Sequence, residues 1–195
     1  MSARITAIVL AAGKSTRMGE DNKLLLTFND KTMVSHVIDQ LMASNLDDII
    51  VVTGHEHEKV KAGIGQPVKF THNPDYDIGL SASLKAGMAA LHKDCDGVMI
   101  CLGDMPYISS AHYKRLISEF QADKIVAPTR HGKIGNPIIF SSKFFPDFDT
   151  LQGDKGARKL LQNYQDDVIS VDLETDAILN DIDTPDSYNQ IMEQF

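Results

Sequence analysis

The sequence predicts a single-domain α/β protein, a Rossmann-like three-layer sandwich built on a mostly parallel sheet. Three observations lead there. Short apolar runs recur along the 195-residue chain. Segments with helical spacing separate them, and the runs are apolar at nearly every position rather than at every second one. That last property marks strands covered on both faces, as parallel strands flanked by helices are.

The predicted strands are Ile5–Ala11, Asp48–Thr53, Val68–His72, Gly97–Leu102 and Lys124–Pro128. Between them Met33–Ser44, Glu56–Ile64, Leu80–His92 and Ser109–Gln121 carry apolar residues at helical intervals, with Ser109 or Ser110 placed to cap the last. Asn136–Ser141 and Val168–Asp172 complete the sheet. Gly153–Tyr164 reads as helical after its glycines, and Thr184–Phe195 as a closing helix with Pro185 in its first turn. No low-complexity linker, internal repeat or domain break interrupts residues 1–195.

Composition narrows the function. The net charge of −8 opposes any general nucleic-acid or anionic-membrane surface, so an anionic ligand must meet a local cluster of donors. The opening apolar run is cut by Gly13 and then by Lys14 and Arg17, too short to span a bilayer. Cys95 and Cys101 show neither metal-ligand spacing nor a disulfide framework, which suits a cytoplasmic setting.

In an open parallel sheet, ligands sit beyond the carboxyl ends of the strands. Two loops leave that edge here: Gly13 to Lys23 after the first strand, and Gly103-Asp104-Met105-Pro106 after the strand ending at Leu102. Gly13-Lys14-Ser15-Thr16 has the tail of a P-loop, but the motif needs a glycine at position 8, and Ile8 stands there. Small residues at Ala11, Ala12 and Gly13 still let backbone N–H groups approach a nucleotide, and Lys14, Arg17 and Lys23 supply charge for its phosphates.

Asp104 ends a buried strand at the ligand edge. It is either an oxygen ligand for Mg²⁺ or a cap for the turn before Pro106. Asp181, Asp183 and Asp186 form a second acidic cluster, in which Asp183 either caps the closing helix or joins Asp104 at a shared cation. Arg130, His131 and Lys133 are either a phosphate-binding cluster or a solvated hairpin tip. The histidines show no ligand spacing, and no Ser/His/Asp or Cys/His set is evident.

The segments LAAGKSTRMG, NPDYDIGLSASLKAG, GDMP, GKIGNPIIF, LQGDKGAR and DIDTPDSY occur in this order. From Ile5 to about Tyr188 the chain resembles the nucleotidyltransferases of molybdenum cofactor maturation, most of all the cytidylyltransferases and more distantly the guanylyltransferases. The first loop and GDMP are shared across the wider superfamily; Asn73–Gly87, GNP and GDKGAR are narrower. Three residues separate Gly19 from Lys23, where many cytidylyltransferases have two; the longer spacing resembles the guanylyl pattern, while Ala12 sides with the cytidylyl branch.

The resemblance implies the nucleotide-diphospho-sugar transferase type of fold. It implies transfer of CMP from CTP to the phosphate of a molybdopterin-type substrate with Mg²⁺ as cofactor, and handover of the product to a molybdoenzyme or its chaperone. Leu10, Ala11, Ala12 and Gly13 would lie along the nucleotide, with Arg17 and Lys23 on its phosphates. Gly79, Leu80, Ser81 and Ser83 would contact the base, and Asp104 and Asp183 would hold the metal. Gly135, Asn136, Pro137 and the segment from Asp154 to Arg158 would face the second substrate. Arg17, Lys23 and Asp104 would carry the catalysis. A nicotinamide-dependent reductase is the rival enzyme class, but no G-x-G-x-x-G is present, since Gly63-Ile64-Gly65 continues without a third glycine. A non-catalytic carrier would have no need of Asp104, Asp183, Arg17 and Lys23 together.

Overall fold

A computed structural model describes residues 3–19 and 21–192, so Glu20 and the last three residues of the predicted closing helix lie outside the described residues. In chain order the elements are β1 (Ile5–Ala11), β2 (Thr27–Phe28), β3 (Lys31–Thr32), α1 (Met33–Met42), β4 (Asp48–Thr53), α2 (His57–Ile64), β5 (Lys69–His72), α3 (Leu80–Ala89), β6 (Gly97–Leu102), α4 (Ser110–Ser118), β7 (Ile125–Arg130), β8 (Lys133–Ile134), β9 (Ile138–Ser141), β10 (Val168–Asp172) and α5 (Pro185–Met192). The main sheet runs β10-β7-β9-β6-β1-β4-β5, with β8 paired to β7. All its neighbours are parallel except those made by β9, which is antiparallel to β6 and β7, and by β8.

The all-apolar run of β1 has the predicted consequence: all seven of its residues are buried. Ile5, Ala7, Val9 and Ala11 enter one core together with Val34, Val37, Ile38 and Leu41 of α1, Val60 of α2 and Leu116 of α4. Ile8 and Leu10 enter the other, with Leu84 of α3 and the aromatic segment Phe144–Phe148. The three layers therefore follow from alternation along one strand that is apolar on both sides. Register also matters for the site. Leu10 pairs with both Val52 and Leu102, so the loops after β1 and β6 leave the sheet at one level.

Several local details go beyond the prediction. Asn29 and Asp30 both take positive φ, 48° and 62°, and close the β2–β3 hairpin as a two-residue turn of this kind requires. Thr32 then caps α1, its hydroxyl accepting from the Ser35 N–H at 3.2 Å. Of the two candidate caps for α4, Ser109 is the one used, and its own N–H donates to His112 Nδ1 at 3.1 Å. The helix predicted after Gly153 forms as 3₁₀ turns over Ala157–Asn163, with Ala157, Leu160 and Leu161 buried. A further 3₁₀ stretch covers Ser142–Thr150, where Pro146 removes a donor that an α-helix would need.

Burial holds the His36 and His112 imidazoles below the usual histidine range. The unfolded chain therefore binds protons first as pH falls below about 6.5, and these groups contribute stability that is present above that value and lost through the lower folded values. The urea midpoint should fall between pH 7 and pH 5. It should fall less steeply in His112→Gln, which keeps a side chain able to serve the capping box without titrating.

Candidate active site

The loop after β1 is folded back on itself by its own polar residues. Ser15 sits at φ 52°, and its hydroxyl accepts from the Lys23 N–H at 3.2 Å. Asn22, 7% exposed, caps the short turn Lys23–Leu25 by accepting from the Leu24 N–H at 3.1 Å. Leu24 is buried beneath that turn. These contacts return Lys23 to the carboxyl edge of the sheet, facing Asp104 at the end of β6.

The acidic partner arrives from the far end of the chain. The Ile182 N–H donates to the Asp104 carbonyl at 3.0 Å, and the Ile182 side chain, 2% exposed, packs with Phe28 and Met33. With Ile182 turned inward, its neighbours Asp181 and Asp183 flank Asp104, and one oxygen from each of the three carboxylates lies within 4.8 Å of the others. The alternative role for Asp183 is taken by Thr184, whose hydroxyl accepts from the Ser187 N–H at the start of α5. Asp186 belongs to the first turn of α5 and lies outside the cluster.

Lys23 Nζ is ion-paired to both Asp104 Oδ2 and Asp183 Oδ1, and Arg17 reaches Asp183 Oδ2 at 2.6 Å. Lys23 and Asp104 are each 14% exposed at the side chain; Arg17 is 71% exposed. Burial is the largest influence on Asp104 and pushes its carboxyl above the usual range; Lys23 opposes this, while Asp181 and Asp183 reinforce it. Burial also pulls on Lys23, but Asp104 and Asp183 outweigh it and hold the ammonium above its ordinary value. For Asp183 burial pushes upward as well, and Lys23 and Arg17 prevail, leaving it low. Lys23 is thus favoured in its charged form, while Asp104 has less counter-charge beside it than its burial calls for. Asp104 Oδ1 is moreover buried without a hydrogen-bond partner among the described residues, so this aspartate does not cap its turn. An acidic oxygen set with one unsatisfied buried member fits a hard divalent cation.

Beside this cluster lies a cleft of about 340 Å³, lined among others by Leu10, Ala11, Ala12, Gly13, Lys23 and Asp104. That volume is within the range of small-molecule sites. Gly79, Leu80 and Ser83 form its far wall. Gly79 stands at φ 128°, and a Cβ there would lie 2.5 Å from the Gly153 carbonyl carbon, so only glycine fits this approach. Asn73 Nδ2 donates to Ser83 Oγ at 3.0 Å and fixes that hydroxyl.

Ser81 departs from the expected base-contacting set. It lines a separate hollow on the other side of α3, and its N–H is taken by the Gly153 carbonyl at 3.0 Å. Asp154, expected on the second-substrate side, lines the nucleotide-sized cleft instead. A second cavity of about 270 Å³ adjoins the first, sharing Leu10, Leu80 and Leu102, and contains Asn136 and Arg158. Gly135 and Pro137 are buried and line neither; Gly135 is pressed against the Ile178 carbonyl. Arg130 and His131 form a hairpin tip and turn to Asp176, at 3.4 and 3.3 Å, away from both cavities. The residues missed from sequence were Ser15, Asn22, Asp181 and Ile182. Only Asp181 had a visible signal, as a member of the acidic cluster.

Fold and site together define a nucleotidyltransferase. Residues 7–168 match the MobA-like NTP transferase domain, and the chain belongs to that family. It is 32% identical over 201 residues to purine catabolism protein PucB of Bacillus subtilis (strain 168), covering 96% of this chain and 95% of that one. It is 30% identical over 193 residues to the molybdenum cofactor cytidylyltransferase of Escherichia coli (strain K12), covering 98% and 97%. The solved structure of Rv0371C in complex with manganese, from Mycobacterium tuberculosis H37Rv, matches with a TM-score of 0.82 at 28% identity, over 99% of this chain and 100% of that one.

Ile182 is the hinge pin of the acidic cluster. Ile182→Ala should cost about 2–5 kcal/mol of stability by chemical denaturation. It should also lower turnover at temperatures where the variant is fully folded, because Asp181 and Asp183 lose their anchor.

Proposed function

We propose that the chain transfers CMP from CTP to the phosphate of molybdopterin-bound molybdenum cofactor, giving the cytosine dinucleotide cofactor and pyrophosphate. The observation that carries this reading is the convergence of Asp104, Asp183, Lys23 and Arg17 beside a cleft that adjoins a second cavity. The shared wall of Leu10, Leu80 and Leu102 is where donor and acceptor would meet. The choice of CTP is supported by the full-length likeness to the cytidylyltransferase and by Ala12 in the first loop.

In the reaction, an oxygen of the acceptor phosphate attacks the α-phosphorus of CTP in line. A new P–O bond forms, the α–β P–O bond breaks, and its electron pair leaves with pyrophosphate. Such a phosphate is already ionised near neutral pH, so no general base is needed, and catalysis rests on positioning and charge neutralisation. Lys23 and Arg17 offset the repulsion between the two anions and meet charge that develops on the leaving group. Ala11, Ala12 and Gly13 keep the cleft floor low, and Gly79 lets the opposite wall close on the base. Asp104 and Asp183, with Asp181 beside them, would hold Mg²⁺, which supplies further neutralisation of phosphate charge. The reaction belongs in the cytoplasm, where the two buried free thiols stay reduced.

The test is pyrophosphate release by the purified protein with Mg²⁺, molybdenum-loaded pterin and CTP, GTP or ATP in separate reactions. Turnover with CTP alone is expected. Turnover with GTP alone would move the assignment to guanylyl transfer, and NAD(P)H oxidation without pyrophosphate would overturn the transferase reading. Asp104→Ala should lower kcat about 100-fold or more. Its unfolding midpoint should stay close to that of the parent, since the backbone bond to Ile182 is untouched. Chelation of divalent cations should abolish turnover reversibly.

A further inference from the structure

We propose that Lys23 is a plug in the cation site: its ammonium holds the place of the divalent metal until nucleotide phosphates draw it away, so metal and nucleotide bind as a coupled pair. This rests on the reading of Asp104 and Asp183 as metal ligands given above.

The argument is one of occupancy. Oxygens of Asp104, Asp181 and Asp183 lie within 4.8 Å of one another, and the Lys23 ammonium is inserted between two of these three carboxylates. A divalent ion bound by the same pair would meet that ammonium at close range, cation against cation. Lys23 is also an incomplete substitute, because Asp104 Oδ1 remains buried and unpartnered beside it. A compact ammonium offers three donors, whereas a hard cation recruits six or more oxygens.

The anchoring of Lys23 suits such a switch. Its backbone N–H is held by Ser15 Oγ at 3.2 Å, and the next residue, Leu24, is buried at 4% exposure, so the main chain is fixed. The flexible four-carbon stem can re-aim the ammonium about that fixed point once another anion competes for it. It already lines the cleft beside Gly13, where a triphosphate offers the ammonium another anion. Nucleotide binding therefore unblocks the carboxylates, and by linkage the metal raises nucleotide affinity by the same factor. A free divalent ion finds the site blocked. Arg17 gives a control: it bears the same charge and touches Asp183 at 2.6 Å, but it is 71% exposed and lies outside the pair bridged by Lys23.

The experiment titrates Mn²⁺ into the nucleotide-free protein and counts free ion by electron paramagnetic resonance. Parent, Lys23→Gln, Lys23→Arg, Arg17→Gln and Asp104→Asn are compared, with Lys23→Met in reserve should the Gln variant fail to fold. Lys23→Gln should bind Mn²⁺ at least tenfold more tightly than the parent. Lys23→Arg should stay near the parent, and Arg17→Gln should gain less than about threefold. Equal affinity in parent and Lys23→Gln, or an equal gain from Arg17→Gln, overturns the plug. If that equality comes with binding that Asp104→Asn abolishes, the metal reading of the site survives the loss of the plug. If no protein binds Mn²⁺, both fall.

Discussion

The site depends on one tie: the Ile182 N–H held by the Asp104 carbonyl, with the Ile182 side chain sunk between Phe28 and Met33. Asp104 is delivered by the central sheet and needs no help to reach its edge. Asp181 and Asp183 come from a strap that crosses the molecule after β10, and a strap of mainly polar residues has little reason of its own to stop there. Burial of Ile178 and then of Ile182 supplies that reason. The two carboxylates flanking Ile182 are then presented on one face of the strap, toward Asp104, as alternation in an extended segment dictates.

That placement creates the electrostatic problem the rest of the site answers. Three carboxylates within 4.8 Å would repel in a half-buried setting, and among the described residues Lys23 and Arg17 balance them. Asp104 bears the residue of that imbalance, with its carboxyl pushed up by burial and one oxygen left without a partner. A site arranged in this way is ready for more positive charge, a useful state in a nucleotidyltransferase, whose nucleotide is a polyanion.

Much of the fold was legible because two-sided burial leaves a plain trace. Ile5–Ala11, Asp48–Thr53, Gly97–Leu102 and Val168–Asp172 read as strands and are strands over the same residues. Strand direction left no such trace: β9 runs antiparallel because a hairpin through β8, not a helix, leads into it from β7. At the site, residues acting through charge could be named from sequence, since Lys23, Asp104 and Asp183 are conspicuous at loop positions. Not all of those acting through geometry could. Ser15 matters because its backbone is left-handed, and Ile182 because of what it packs against, and neither property shows in residue type. The two possible roles of Asp183 were separable only once Thr184 was seen to cap α5 in its place.

The loop between Gly19 and Lys23 was the one place where sequence comparisons pulled two ways, by length toward guanylyl and by Ala12 toward cytidylyl transfer. Lys23 is held at its backbone by the Asn22 cap, the Ser15 hydroxyl and the burial of Leu24. In the proposed reaction, base selection would fall to the opposite wall, where Gly79 is forced against Gly153 and the Ser83 hydroxyl is held by Asn73. A wall fixed by backbone contact and a buried hydrogen bond can discriminate between bases, because a wrongly placed donor or acceptor there goes unpaired at a cost of about 1–3 kcal/mol.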